Sequence, residues 1–243
     1  FVQQAIAAGA VAVLAARSVE APAVIVDDTV VALGRLAAGY LRRITTTVVA
    51  ITGSSGKTST KDLLAQVLRR VGSTLAPEGS FNTEVGLPLT VMRADAGTRL
   101  LVLEMSARGV GHIAYLCGIA PPRIGVVLNV GAAHLGEFGS RDVVAQAKGE
   151  LVEALPPDGL AVLNADDPLV AAMSSRTRAR VVTFGFSRHA DVRATELRLD
   201  ELAKPSFLLH SKGNSVEVEL AVHGAHQASN ALAVAAVALE LGM

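Results

Sequence analysis

Apolar residues along this chain follow two rhythms, short unbroken runs and spacings of three and four, and glycine or proline separates the segments. The β-branched run Thr45 to Thr52 predicts a buried strand, and Leu63, Leu64, Val67 and Leu68 then recur at helical spacing. Arg99 to Met105 (RLLVLEM) and Arg123 to Val130 (RIGVVLNV) predict further buried strands, as do Leu160 to Leu163 and Arg180 to Phe184. Helices are expected from about Thr29 to Arg43, from Glu84 or Leu87 to Arg93, and between Ser106 and Cys117. Others are expected from an N-cap at Ser140 to near Leu155, from Pro168 to Ser174, and from Ala228 to Leu241. From Asp191 the period changes to two: Val192 to Leu199, Ser206 to Leu209 and Val216 to Val222 alternate, with Lys212-Gly213-Asn214-Ser215 as a hairpin turn. This order predicts an α/β fold, a doubly wound and mostly parallel sheet carrying an antiparallel annex.

Composition narrows the function classes. The 22 basic and 22 acidic residues are interspersed and only 3% of the 243 residues are aromatic, which leaves neither a basic stripe nor a stacking platform for nucleic acid. No apolar run reaches the roughly 18 to 20 residues of a membrane span, and the first residues lack a charged leader. A single cysteine, Cys117, allows no internal disulfide and reads as a small buried apolar residue. A cytoplasmic monomer is expected. The chain starts at Phe1 within a helical pattern and stops at Met243 just past a helix, so both ends read as cut.

The chemistry concentrates after the first strong strand. Gly53-Ser54-Ser55-Gly56-Lys57-Thr58-Ser59 lies between strand and helix, the setting of a phosphate-binding loop. Glycines permit a tight turn with N–H groups directed at an anion, Lys57 reaches β- and γ-phosphates, and the Thr58 hydroxyl ligates Mg²⁺. The loop is short, because Ile51 stands where the usual pattern has its first glycine. Glu104 ends a buried strand as a candidate for a second Mg²⁺-associated group, and His134 lies on a glycine-flanked loop beyond another strand. The loop Pro77 to Pro88, with two prolines and two glycines, is a candidate for substrate contacts. Asp28 and its neighbour Asp27 read as helix caps rather than a metal pair, and Lys148 by itself reads as a surface lysine.

In order and spacing, TGSSGKTSTKDLL, GSFNTEVGLPLT, LEMSARGVGHIA, NVGAAHLGEFGS and the AKGEL helix resemble the Mur ligases of peptidoglycan synthesis. LEMSARGVGHIA and AHLGEFGS favour the member that adds D-alanyl-D-alanine to UDP-N-acetylmuramoyl-tripeptide. Another member of the family, or a non-catalytic nucleotide-binding module, is the alternative; a kinase or GTPase is disfavoured by the short loop and the lack of an NKxD pattern. The resemblance implies ATP and Mg²⁺, with Lys57 and Thr58 on the phosphates and one metal, and Glu104, His134 and a carbamylated Lys148 serving the metal sites. It further implies Asn82 and Thr83 near the γ-phosphate, and Asn230, His226 and Asn164 toward adenine, although Gln227 departs from the family's asparagine. By the same resemblance, residues 1–44 are the end of a UDP-substrate-binding domain and 45–243 a central ATP-binding domain. A third domain that brings in the dipeptide has no counterpart, so this chain alone is expected to bind Mg-ATP weakly without forming the peptide bond.

Overall fold

The computed structural model describes residues 1–131 and 140–243. A short helix, α1 (Val2–Ala7), leads to two parallel strands, β1 (Val13–Ala15) and β2 (Ala23–Ile25), and to helix α2 (Thr29–Leu41). Asp28 caps α2, accepting from the Val30 and Val31 N–H groups at 2.7 and 3.0 Å, the role its position suggested. The rest of the chain supplies β3 (Thr47–Thr52), α3 (Lys57–Leu68), β4 (Thr74–Leu75), α4 (Gly86–Val91), β5 (Leu100–Glu104), α5 (His112–Ile119) and β6 (Ile124–Val127). Beyond the undescribed stretch come α6 (Arg141–Glu153), β7 (Leu160–Asn164), α7 (Pro168–Ala171) with a 3₁₀ turn to Arg176, β8 (Arg180–Gly185), β9 (Val192–Leu199), β10 (Pro205–Ser211), β11 (Asn214–Glu219) and α8 (His226–Glu240).

Among the described residues nine strands form one sheet, in the order β11-β10-β9-β8-β7-β6-β3-β5-β4. Pairing is parallel from β4 through β9 and antiparallel only for β9, β10 and β11. The alternating region is therefore continuous with the main sheet, joined through β8 and β9 rather than standing beside it. Its hairpin turns at Lys212-Gly213, both with positive φ (51° and 82°), as a primed turn requires.

The run of apolar residues in β3 is explained by burial on both faces. Val48 and Ala50 enter one hydrophobic cluster with α2, α4, α5 and α6; Val49 and Ile51 enter the other with Leu64 and Leu68 of α3 and with α8. The helix after β3 thus lies on one face and the helices after its neighbours β5 and β6 on the other. The connections diverge at β3, and the crevice at its carboxyl end is where open parallel sheets bind ligands. Residues 1–44 are not loosely appended: Ala37 and Leu41 of α2 are buried in the first cluster, and the Tyr40 hydroxyl donates to Ala94 O at 2.5 Å.

Candidate functional site

The loop leaving β3 is shaped by a residue that the motif reading passed over. Asn129, two residues beyond β6, accepts from the Ser54 and Ser55 N–H groups through Oδ1, both at 3.0 Å, and returns Nδ2 to Ser55 O at 3.2 Å. Its backbone O also accepts from Ser54 N, and Gly131 N donates to Ser54 Oγ at 2.9 Å. Two loop amides are therefore turned to the protein and not to an anion. Donors for a phosphate come instead from the start of α3, whose first N–H groups have no intrahelical acceptor. Gly56, the cap of α3, has φ +81°, and a Cβ there would lie 2.7 Å from Asn230 Oδ1, so glycine is needed on both counts.

Around this loop four side chains converge. Lys57 Nζ folds back to donate to Gly53 O at 2.9 Å. Burial lowers its pKa, and the nearby Glu104 carboxylate pushes the other way. Glu104 ends β5 with none of its surface exposed; Oε1 accepts from Asn82 Nδ2 at 2.7 Å, and Oε2 is buried with no hydrogen-bond partner among the described residues. Thr58 Oγ1 meets Ser80 Oγ at 3.3 Å. Lys148, on the buried face of α6, is only 5% exposed, which corrects the reading of the isolated sequence that made it a surface lysine. Burial first, and the like charge of Lys57 second, lower its pKa from 10.5 to about 8.

The orphaned Glu104 Oε2 decides whether a cation suits this place. A buried carboxylate oxygen without a donor is costly, and a divalent cation would satisfy it. With the Thr58 hydroxyl close to the same loop, these oxygen donors fit Mg²⁺. Among the described residues no three His, Cys, Asp or Glu side chains cluster as a self-sufficient metal site, so such an ion would lean on hydroxyl and phosphate oxygens as well.

Other expected residues fall differently. Asn230 is buried, donates to Gln227 Oε1 at 2.9 Å and stands directly over Gly56, so it belongs to the loop's surroundings. Asn164 is buried at the end of β7, where Nδ2 donates to Leu128 O at 2.8 Å and Oδ1 accepts from Asp166 N at 2.9 Å; both ends of its amide hold the strand ends in place. His226 is exposed at the start of α8. Thr83 Oγ1 accepts from Gly86 N at 3.4 Å at the entry to α4. His134 lies outside the described residues. Beside the site a cavity of about 280 Å³ is lined by Glu84, Ser106, His112 and Tyr115 and, from the start of α2, Asp28 and Val31.

Comparison with known proteins bears on this arrangement. The family described as the Mur ligase middle domain matches residues 51–238, from the phosphate loop's strand to the last helix. The chain belongs to the Mur ligase family. A UDP-N-acetylmuramoyl-tripeptide--D-alanyl-D-alanine ligase of Mycobacterium tuberculosis is 52% identical over 98% of this chain, and one from Escherichia coli is 38% identical over all of it. The chain spans 51% and 54% of those two relatives, about half their length. A crystal structure of MurF from Acinetobacter baumannii covers all of the chain with TM-score 0.91 and 35% identity, the chain spanning 54% of it. The MurF ligase of Thermotoga maritima in complex with ADP gives 0.89 and 34%, the chain spanning 57% of that structure. In this Mur ligase chain Asn129, Ser80 and Glu150 are the residues that motif reading left without a role. Glu150, two residues after Lys148, accepts from Gly111 N and Ala114 N at 2.5 and 2.9 Å and so anchors the start of α5. Only a polar residue at the end of an apolar run hinted at Asn129; Ser80 lies in the loop singled out for substrate contacts and Glu150 in the AKGEL helix, but nothing local picked out either side chain.

Proposed function

We propose that this chain forms the nucleotide-binding and acyl-activating part of an ATP-dependent ligase that joins D-alanyl-D-alanine to UDP-N-acetylmuramoyl-tripeptide. Relatives 52% and 38% identical bear that name, and a relative of the same fold is described with ADP. The observation that carries the reading is Glu104 Oε2 at the end of β5, buried without a hydrogen-bond partner among the described residues and near Lys57. On this reading residues 1–44 belong to the UDP-substrate-binding domain and 45–243 to the central domain.

The reaction needs two anions, a carboxylate and a triphosphate, held together. The first N–H groups of α3 and Lys57 take the phosphates, Lys57 leaving its Gly53 carbonyl to do so. Thr58 and Glu104 would hold Mg²⁺, which when bound would offset charge on the phosphate oxygens. The tripeptide carboxylate attacks the γ-phosphorus and ADP leaves, giving an acyl phosphate. The dipeptide amine, having lost a proton, then attacks the acyl carbon, and the tetrahedral intermediate expels phosphate. Asn82 holds the Glu104 carboxylate in one orientation through the 2.7 Å bond, and with Thr83 it borders the substrate. Lys148, lowered to about 8 and buried, has an appreciable neutral amine fraction near physiological pH. That is the form that adds CO₂ to become a carbamate, which would convert a cation beside Lys57 into an anion facing the metal. His134 is proposed for the metal or phosphate as well, and Asn230, His226 and Asn164 for the adenine end, of which Asn230 stands against Gly56 of the loop.

The test is ADP release by a protein carrying this chain at the full length of its relatives. Release should require UDP-tripeptide and D-alanyl-D-alanine together, and Lys57→Ala should abolish it. Release that ignores the dipeptide would sink the proposal.

A further inference from the structure

Lys61 is the largest fully buried side chain in the described structure, with 0% exposure, although lysine is almost never buried without a reason. It lies one turn beyond Lys57 and Thr58 on α3, and its Nζ reaches the loop that follows β4. Its ammonium is held on three sides: Nζ donates to Pro77 O at 2.6 Å and Gly79 O at 3.0 Å and forms an ion pair with Asp62 Oδ1 at 2.8 Å. An apolar side chain would fill the same volume without the desolvation of a charge, so stability alone does not explain a lysine here. What the lysine does, and a methionine could not, is grip two backbone carbonyls of a segment that has no regular structure of its own.

That segment then delivers two side chains to the site. Ser80, one residue past the gripped Gly79, meets the Thr58 hydroxyl at 3.3 Å. Asn82 donates to Glu104 at 2.7 Å, and its O accepts from Ser106 N at 3.2 Å. From the opposite side, Gly86 packs so closely that a Cβ would lie 2.8 Å from Phe81 Cα. We propose that Lys61 is a positioning residue of the phosphate and metal site: its Nζ fastens the 77–82 loop to the helix bearing Lys57 and Thr58, setting Ser80 on Thr58 and Asn82 on Glu104. The nature of the site rests on the nucleotide reading above; the fastening does not.

Two measurements on this chain test it. Without nucleotide, amide hydrogen exchange over Gly79 to Thr83 should be about tenfold faster in Lys61→Met, with β3 and β5 unchanged. With nucleotide, Lys61→Met should weaken Mg-ATP binding about tenfold but ATP binding in EDTA less than about twofold, and Lys61→Arg should recover most of the loss. A folded Lys61→Met protein with unaltered loop exchange overturns the proposal, as does an equal weakening of both nucleotide forms. Should Lys61→Met not unfold cooperatively, Asp62→Asn, at an exposed carboxylate, decides: about two- to fivefold faster exchange in the loop supports the fastening and no change overturns it. If the unaltered chain binds no Mg-ATP, the nucleotide reading fails, and the exchange comparison alone decides whether Lys61 holds the loop.

Discussion

Two lysines inside one domain are costly unless each has a use, and here each has a different one. Lys61 is consumed by carbonyls and a carboxylate; Lys148 has no hydrogen-bond partner among the described residues, and its surroundings lower it to about 8. On the carbamate proposal, Lys148→Ala in a protein carrying this chain at the full length of its relatives should lower the proposed ligase activity by about two orders of magnitude, and acetate or bicarbonate should restore part of it. Failure of both acids to rescue a folded variant would count against the carbamate. Cys117 supplies a pH test of the core. Burial, then the negative charge of Glu150, raises its thiol to about 12 from an ordinary 9.0. The folded state therefore keeps a proton that the unfolded state loses, so stability present below pH 9 is lost as pH rises toward about 12. Denaturation of the chain and of Cys117→Ala between pH 8 and 11 should diverge in that direction, and the native thiol should resist alkylation at pH 8. Neither lysine's burial is visible locally, since AKGEL and TSTKD look equally solvent-facing as strings, whereas Cys117 was legible as a buried residue.

At the level of elements, the pattern located nearly every helix and strand, because runs buried on both faces and capped helices announce themselves. Ser140 caps α6 at Val143 N, 3.3 Å, and Asp28 caps α2, as residue type and place suggested. Ser140→Ala should cost about 1 kcal/mol in urea denaturation. Ends were less legible. α8 starts at His226, two residues before the expected Ala228, and β6 stops at Val127 although the apolar run continues to Val130. Those last residues are held by side chains from other elements: Asn164 on Leu128 O, and Asp167 on Val130 N at 2.7 Å. Such contacts have no signature in a local window. Asn129 belongs to the same group, and its replacement by Ala removes the side-chain acceptor of both loop amides: Ser54 N keeps the Asn129 backbone O, while Ser55 N is left without its acceptor. A weakening of nucleotide binding of about tenfold is expected by calorimetry; unchanged affinity would show that α3 alone forms the phosphate cradle.

Across the whole molecule, residues 1–44 and the sheet share a core. Leu41, 8% exposed, packs in the cluster that also holds Leu87, Val91 and Ile113. Leu41→Ala should destabilise the chain by about 2 to 4 kcal/mol in a single unfolding transition. A separate, earlier transition for the first 44 residues would instead show that α2 is only resting on the sheet. The sequence by itself determined the alternation of strands and helices, the phosphate loop and the acid at the end of β5, because periodicity, β-branching and glycine spacing act over a few residues. Tertiary structure alone decided that Lys148 is buried beside Lys57, that Asn129 takes two of the loop's amides, and that Lys61 holds the 77–82 loop. Each of these depends on which distant segments the parallel sheet brings to one edge, and strand order is set by the packing of both faces at once.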